Sequence, residues 1–280
     1  MTWRVSIVHT TTHRYAGEVV SSYNEARITP PSLARQTCAS ARVEVEPDAT
    51  LFQYRDYWGT VVHSFDLHQR HAALTVRGCS TVETTAAPLP RGAPVGWAEL
   101  AADAVRDRFA ELLEPTPYVP ELARGDEIVD AVRCSTPDET AQAIVGWVEE
   151  NLRYEPGATD VTTSAEDALA RGRGVCQDFA HLTLALLRAA GVPARYVSGY
   201  LHPDPCAPVG ETIAGQGHAW VEWWCGDWAG WDPTHREPIG ERHIIVARGR
   251  DYADVAPLKG VYHGAPAASQ EVSVAITRTG

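Results

Sequence analysis

The sequence predicts an α+β protein in which an all-β module precedes a region of helices followed by strands. Three observations carry this reading. Residues 2–83 hold only short period-two runs separated by turn residues, a proline-rich stretch interrupts the chain at 86–94, and helical periodicity begins only beyond it. With 280 residues, 44% of them hydrophobic and 21% charged, the chain has the material for a full-sized core and the composition of an ordered protein.

In the first module Val5, Ile7 and His9 alternate with Arg4, Ser6 and Val8, and similar runs recur at 19–28, 41–46, 50–55, 60–67 and 73–83. Pro30-Pro31, Pro47-Asp48 and Trp58-Gly59 punctuate them. Prolines at 88, 90 and 94 interrupt any strand ladder, which places a boundary between domains of residues 1–90 and 91–280. A helix is expected over 97–113 with Leu100, Ala104, Phe109 and Leu112 on its buried stripe, and a shorter one over 126–132. Thr136-Pro137-Asp138-Glu139 is a capping box with proline at the first helical position, and the helix it opens carries Ala141, Ile144, Val148 and Leu152 on one face. Ser164 to Asp167 starts another, ended by Gly172. Strands return at 194–201, 218–224, 231–234, 243–247 and 271–277, with a Pro- and Gly-rich loop at 202–217.

The chemistry centres on Gly174-Val175-Cys176-Gln177-Asp178-Phe179, a glycine-flanked turn running into a helix with Phe179, Leu182, Leu186 and Ala189 at buried-face spacing. Cys176 falls in the first turn, where unpaired N–H groups and the positive end of the macrodipole favour a thiolate. His218 opens a strand whose alternation sets His218, Trp220 and Glu222 on one face. Asp232 lies on the strand returning after Gly226 and Gly230, so a hairpin brings it close to opposite His218. Cross-strand neighbours lie roughly 4.5 to 5.5 Å apart, within reach of a carboxylate–imidazole hydrogen bond. A thiol, a base and an orienting acceptor form the set that nucleophilic acyl transfer requires.

Simpler readings exist for each residue alone: a cysteine at a helix start is most often a small core residue, and a His/Asp pair across strands is often structural. Cys176, His218, Asp232 and His235 are also acceptable zinc-ligand types, but their spacing matches no standard zinc signature. His9 and His13 read as β-surface histidines, His63, His68 and His71 as solvated, and the tryptophans from Trp220 to Trp231 as cover for a sheet, with one or two able to wall a substrate cleft. Asp178 reads as electrostatic support for the helix start.

Taken together, Gly174-Val175-Cys176-Gln177-Asp178-Phe179-Ala180, Gly191-Val192-Pro193-Ala194-Arg195-Tyr196-Val197-Ser198-Gly199-Tyr200, His218-Ala219-Trp220-Val221-Glu222 and Asp232-Pro233-Thr234 resemble the bacterial transglutaminase-like superfamily. The resemblance extends to His9–Tyr15 and Ser22–Pro30, which are similar to the β domain preceding this core in a prokaryotic branch, and to the stretch 248–255. It implies a papain-like core with Cys176 as nucleophile, His218 as base and Asp232 as orienter. It further implies attack on an amide carbonyl through a thioester that water or an amine resolves. Such chemistry also needs oxyanion donors, for which the Cys176 N–H and the Tyr154 hydroxyl are the candidates.

No D-x-D-x-D-G calcium loop occurs, so no metal or cofactor is expected, and hydrolysis is favoured over crosslinking. A catalytically silent peptide-binding module is the alternative of another class. The net charge of −12 opposes binding to nucleic acid or an anionic membrane surface, which leaves a peptide, a protein or a small amide as the expected partner. Six scattered cysteines without paired spacing, no signal-peptide pattern and no long apolar run give a cytoplasmic protein with free thiols as the expectation.

Overall fold

The computed structural model describes residues 2–86 and 92–280; the expected boundary at 90/91 lies outside the described residues. The first strands are β1 (Thr2–Thr29), β2 (Gln36–Glu46), β3 (Phe52–Arg55), β4 (Val61–Leu67) and β5 (His71–Thr85). The two runs expected at 4–9 and 19–28 are one strand of 28 residues. A straight strand of that length would extend about 90 Å, and β1 changes partners part-way, from β5 and the strand Ala267–Arg278 to β4 and the strand Leu258–Gly264. Its first half pairs with β5, and its register with that strand jumps between Arg14 and Val19.

Helices follow: α1 (Trp97–Leu100), α2 (Asp103–Arg108), α3 (Ala110–Leu113), α4 (Gly125–Val132) and α5 (Pro137–Asn151). After them come β6 (Arg153–Tyr154), α6 (Ala165–Arg171), β7 (Arg173–Gly174) and α7 (Cys176–Ala189). The single helix expected over 97–113 is broken in three. Ala102 has extended backbone and Phe109 leaves helical geometry, which turns the Phe109 ring onto Trp224, 4.8 Å between centroids, while Ala104 stays exposed. The capping box of α5 forms as its sequence requires: Glu139 N–H donates to Thr136 Oγ1, and Thr136 N–H to Glu139 Oε2.

The remaining elements are β8 (Ala194–Leu201), β9 (Thr212–Gly215), β10 (Gly217–Trp224), β11 (Trp228–Asp232), β12 (Glu237–Pro238), β13 (His243–Gly249), α8 (Tyr252–Val255), β14 (Leu258–Gly264) and β15 (Ala267–Arg278). Strands β12-β11-β10-β8-β13 form one antiparallel sheet. Helix α7 lies against its β10 and β8, with α4, α5 and α6 packed around the helix. An amphipathic helix was expected there, yet α7 is buried on all sides from Gln177 to Arg188, because the sheet covers one face and helices cover the other. Two of its polar residues find partners inside: Thr183 Oγ1 donates to the Phe179 carbonyl, and Arg188 donates to the carbonyls of Glu114 and Arg250, while Arg188 Nε and His181 Nδ1 stay unpaired among the described residues.

The first sheet has the order β2-β5-β1-β15-β9, with β14 and β4 also paired to β1, so the chain's last strands and β9 join the strands of its first module. Trp3, Val5 and Ile7 from β1 and Ile276 from β15 belong to the same buried cluster as Leu182, Tyr200 and Ile244. A smaller cluster of Ala26, Ile28, Phe65, Leu67 and Leu74 fills the far end of the first sheet. Polar side chains stitch the sheets together. His9, expected at the surface, is 3% exposed, and its Nδ1 lies 2.8 Å from Tyr200 Oη across the junction. Burial lowers its pKa to about 4, so it is a neutral bridge. His63 and His71 are likewise buried rather than solvated, His63 against Thr29 Oγ1 and His71 against the Gln69 carbonyl.

Gln36 makes the most complete of these contacts. β13 is an edge strand of the second sheet, so the Ile245 peptide groups that face away from β8 are satisfied from outside the ladder. Gln36 Oε1 accepts the Ile245 N–H at 2.8 Å, and Gln36 Nε2 donates to the Ile245 and Pro31 carbonyls, both at 2.8 Å. On the same side of the second sheet, buried Glu222 is held by Arg195 at 2.6 Å and Arg248 at 2.8 Å, with Trp228 stacked on the Arg195 guanidinium at 3.6 Å. Among the described residues, no helix is long and apolar enough to cross a membrane.

Two stability measurements check these contacts. Gln36→Leu leaves buried peptide groups unpaired and should lower unfolding stability by about 2–4 kcal/mol in urea titrations; a change within error contradicts the stitching role. Burial alone would raise the Glu222 pKa, but Arg248 and Arg195 outweigh it and lower it from 4.5 to about 2. A depressed pKa stabilises the fold above pH 4.5 and ceases to as pH falls through about 2. Glu222→Gln should therefore cost about 3 kcal/mol at pH 7 and reduce the dependence of stability on pH in that acid window.

Candidate active site

The site is assembled from the start of α7, the start of β10 and the end of β11. Val175 is the N-cap of α7, and the box is closed from within the helix, since Asp178 Oδ2 accepts the Val175 N–H at 2.7 Å and the Thr159 hydroxyl at 2.6 Å. Asp178 thus fixes the turn through hydrogen bonds, more specifically than the electrostatic support its position suggested. Gly174 makes room for it: a Cβ there would lie 2.6 Å from the Asp178 side chain. Cys176 follows, half-buried, at the first helical position, and among the described residues its N–H has no hydrogen-bond partner.

His218 lies on β10 directly across from Gly199 of β8. That glycine is required, because a Cβ would come within 2.1 Å of the Ile244 carbonyl and 2.6 Å of the Trp220 ring. Trp220 is wholly buried beneath the site, its ring 5.9 Å from that of His218 and 5.3 Å from that of His243. The hairpin ladder pairs Val221 with Trp231, so Asp232 continues it toward Trp220 and meets His218 on the diagonal rather than directly opposite. The contact is close: His218 Nε2 lies 2.6 Å from Asp232 Oδ2.

Asp232 is 0% exposed, and its carboxylate is saturated with donors. Oδ1 accepts the N–H groups of Thr234 at 2.9 Å and His235 at 3.2 Å. Oδ2 is approached by His218, by His235 Nδ1 at 3.0 Å and by His243 Nε2 at 3.3 Å. Gly240 N–H donates to His243 Nδ1 at 3.2 Å, which places the His243 proton on Nε2 and makes this ring a neutral donor to Asp232. Burial, the largest influence, lowers the His243 pKa and keeps it so. Burial by itself would raise the Asp232 pKa, but the hydrogen bonds from His218, His235 and His243 hold it well below the usual carboxylate range. For His218 burial opposes the charge, whereas Asp232 and Cys176 favour it and prevail, raising the pKa to about 10. With Nε2 committed to Asp232, Nδ1 is the ring nitrogen available to Cys176.

Cys176 and His218 open into a cleft of about 240 Å³ that is also lined by Tyr154, Leu201, Pro203, Ala214 to Gly217 and His235. Tyr154 is 48% exposed and lines the same cleft as Cys176, and desolvation, the larger cause, together with this neighbour raises its pKa. Among the described residues, the cleft lining includes no tryptophan. His218, Asp232 and His235 form one set with potential metal-ligand atoms within 4.8 Å of one another, and Asp232, Glu237 and His243 form another. Cys176 belongs to neither set, and in both the Asp232 oxygen already accepts N–H donors. His243 was not singled out in the sequence. The available signal was a histidine opening an otherwise apolar run, His243-Ile244-Ile245-Val246-Ala247.

This geometry can be set beside known proteins. The profile of the transglutaminase-like superfamily matches residues 126–233, and that of the bacterial transglutaminase-like N-terminal region matches residues 5–83. The chain belongs to the transglutaminase-like superfamily. An uncharacterized protein of Mycobacterium leprae is 47% identical over 277 residues, 99% of both chains. A protein-glutamine gamma-glutamyltransferase of Pseudomonas aeruginosa is 34% identical over 144 residues, 45% of this chain and 21% of that protein. A crystal structure from Cytophaga hutchinsonii, described as a candidate cysteine protease, superposes over 100% of this chain and 98% of its own with a TM-score of 0.73 at 20% identity. It shares the whole fold, N-terminal sheet included.

The protonation of His218 is directly measurable. The imidazolium should persist below about pH 10 and be lost as pH rises through that value, so ¹⁵N-histidine NMR should place one titration near it. Asp232→Asn removes the favouring carboxylate and should bring the midpoint down by about one unit or more. A wild-type midpoint in the ordinary histidine range would show that the pair does not hold the charge.

Proposed function

We propose that this chain is a cysteine-dependent acyl-transfer enzyme acting on amides, and that it hydrolyses them. The observation that carries the reading is His218 held between a buried carboxylate and a thiol on the floor of an open cleft. In this mechanism Cys176 Sγ attacks the amide carbonyl, and the oxyanion that develops is met by the Cys176 N–H and the Tyr154 hydroxyl. His218 gives its Nδ1 proton to the departing nitrogen, leaving a thioester. A second nucleophile, deprotonated by the same nitrogen, attacks the thioester carbon and releases Cys176. Asp232 holds the ring in this orientation throughout, itself braced by His235 and His243.

Two features favour water as the second nucleophile. Tyr154 and His235 at the rim are exposed, and among the described residues no tryptophan lines the cleft to screen the thioester from solvent. Amine transfer is the second reading, favoured by the name of the Pseudomonas aeruginosa relative, whose match is confined to part of both chains. The substrate is a peptide, a protein or a small amide, with neither nucleic acid nor membrane as partner, in keeping with the net charge of −12. Six free cysteines suit a reducing compartment and hence the cytoplasm.

Iodoacetamide followed by peptide mapping should modify Cys176 ahead of the other thiols, and His218→Ala should slow that reaction; equal labelling of the exposed cysteines would support a silent binding module instead. With a glutamine peptide, product mass separates the outcomes: glutamate or a cleaved peptide for hydrolysis, an amine adduct for transfer. Cys176→Ala should reduce turnover by roughly 10³-fold or more, and retention of activity would remove Cys176 from the reaction.

A further inference from the structure

One wall of the cleft comes from the first sheet. β9 is the terminal strand of the path β2-β5-β1-β15-β9, and among the described residues it pairs with β15 alone. Its other edge therefore carries peptide N–H and C=O groups with no strand to receive them. Ala214 and Gly215 of this strand, with Gln216 and Gly217 that follow, line the same cleft as Cys176 and His218. The chain passes from β9 straight into β10, so Gly215 and His218 are three positions apart and the unpaired edge leads directly to the reacting groups.

The edge is firmly held. Thr212 Oγ1 lies 2.7 Å from Thr277 Oγ1, the Gly210 N–H donates to the Arg278 carbonyl at 2.8 Å, and Arg278 Nη1 donates to the Ala207 carbonyl at 2.8 Å. At position 215 the space a side chain would need is taken by Ile276, whose Cδ1 lies 2.7 Å from where a Cβ would stand, so the strand presents bare backbone there. Four residues of strand span about 13 Å, enough to pair three or four residues of another chain. Across the cleft stands half-exposed Tyr154.

We propose that β9 is a docking strand: an extended peptide segment adds to its unpaired edge, and this pairing carries the segment's amide to Cys176. The preferred substrate is then an unfolded or terminal stretch of polypeptide, not a small amide or a folded surface, and recognition is chiefly of main chain. The first sheet becomes the platform that binds substrate for the second. The assignment of the reacting amide rests on the proposed enzymatic reading; the docking edge does not.

The test measures binding and turnover separately. The full-length Cys176→Ala protein is titrated, by fluorescence anisotropy, into labelled peptides of about ten residues that carry a central glutamine and acidic, basic, aliphatic or aromatic flanks. The tightest binder is then N-methylated at one backbone nitrogen at a time. Affinity should fall about tenfold or more at alternate positions and little between them, because only every second residue faces the edge strand. Ala214→Pro, which removes an N–H from β9, should weaken binding of the unmethylated peptide if that N–H lies on the free edge; Gly215→Pro combined with Ile276→Ala, which clears the space the ring needs, serves for the neighbouring register against Ile276→Ala alone, and one of the two must act. Failure of every peptide to bind, methylation losses without alternation, or indifference to both proline variants overturns the proposal. Turnover by wild-type protein reads the other question. Peptides bound with the alternating pattern but never converted would remove the enzymatic reading and leave the docking strand intact, whereas conversion unaffected by N-methylation would do the reverse.

Discussion

A carboxylate without access to water organises this protein. Asp232 carries its charge inside the second sheet, and an ionised carboxyl so placed is tolerable only if its oxygens are met by donors. Those donors come from separate parts of the chain: His218 from β10, the peptide groups and ring of the Thr234-His235 turn, and His243 from β13. Because β8 lies between β10 and β13, the three strands must be in register before the carboxylate is satisfied. The glycine opposite His218 lets the Trp220 ring and the Ile244 carbonyl close up there, with the indole 5.9 Å from the imidazole. Sheet order and imidazole charge are thus two results of one buried oxygen pair.

Much of this was legible in the chain. The cysteine at a helix start, the histidine at a strand start and the Asp232-Pro233-Thr234 turn are local patterns whose meaning survives folding, and the structure brings all three residues to one place. What the sequence hid was long-range. His9 looks like any alternating strand residue, and only the docking of two sheets turns it into an interior bridge to Tyr200. His243 acquires its part from Gly240 and Asp232, neither of which marks it beforehand. The broken helix before residue 113 and the enclosure of α7 on all sides follow from what packs against them, which periodicity does not report.

The first sheet likewise acquires its importance from partners far along the chain. Its alternation is plain, but its inner row of Trp3, Val5 and Ile7 is continuous with the core beneath α7, and Gln36 completes a strand to which it does not belong. The two sheets share an interior, and β13 and β8 lie between their junction and His218.

The pairing of β1 with β15 matches Val5 to Arg278, so β1 finds this neighbour only after a further 273 residues have been made. Ribosomes add about 5–20 residues per second, which leaves that side of β1 uncovered for roughly tens of seconds. β9 waits as well, because β15 is the strand that holds it. The wall beside Cys176 is therefore completed about a hundred residues after the cysteine itself, and a nascent chain bears its thiol before it has a finished cleft in which to use it.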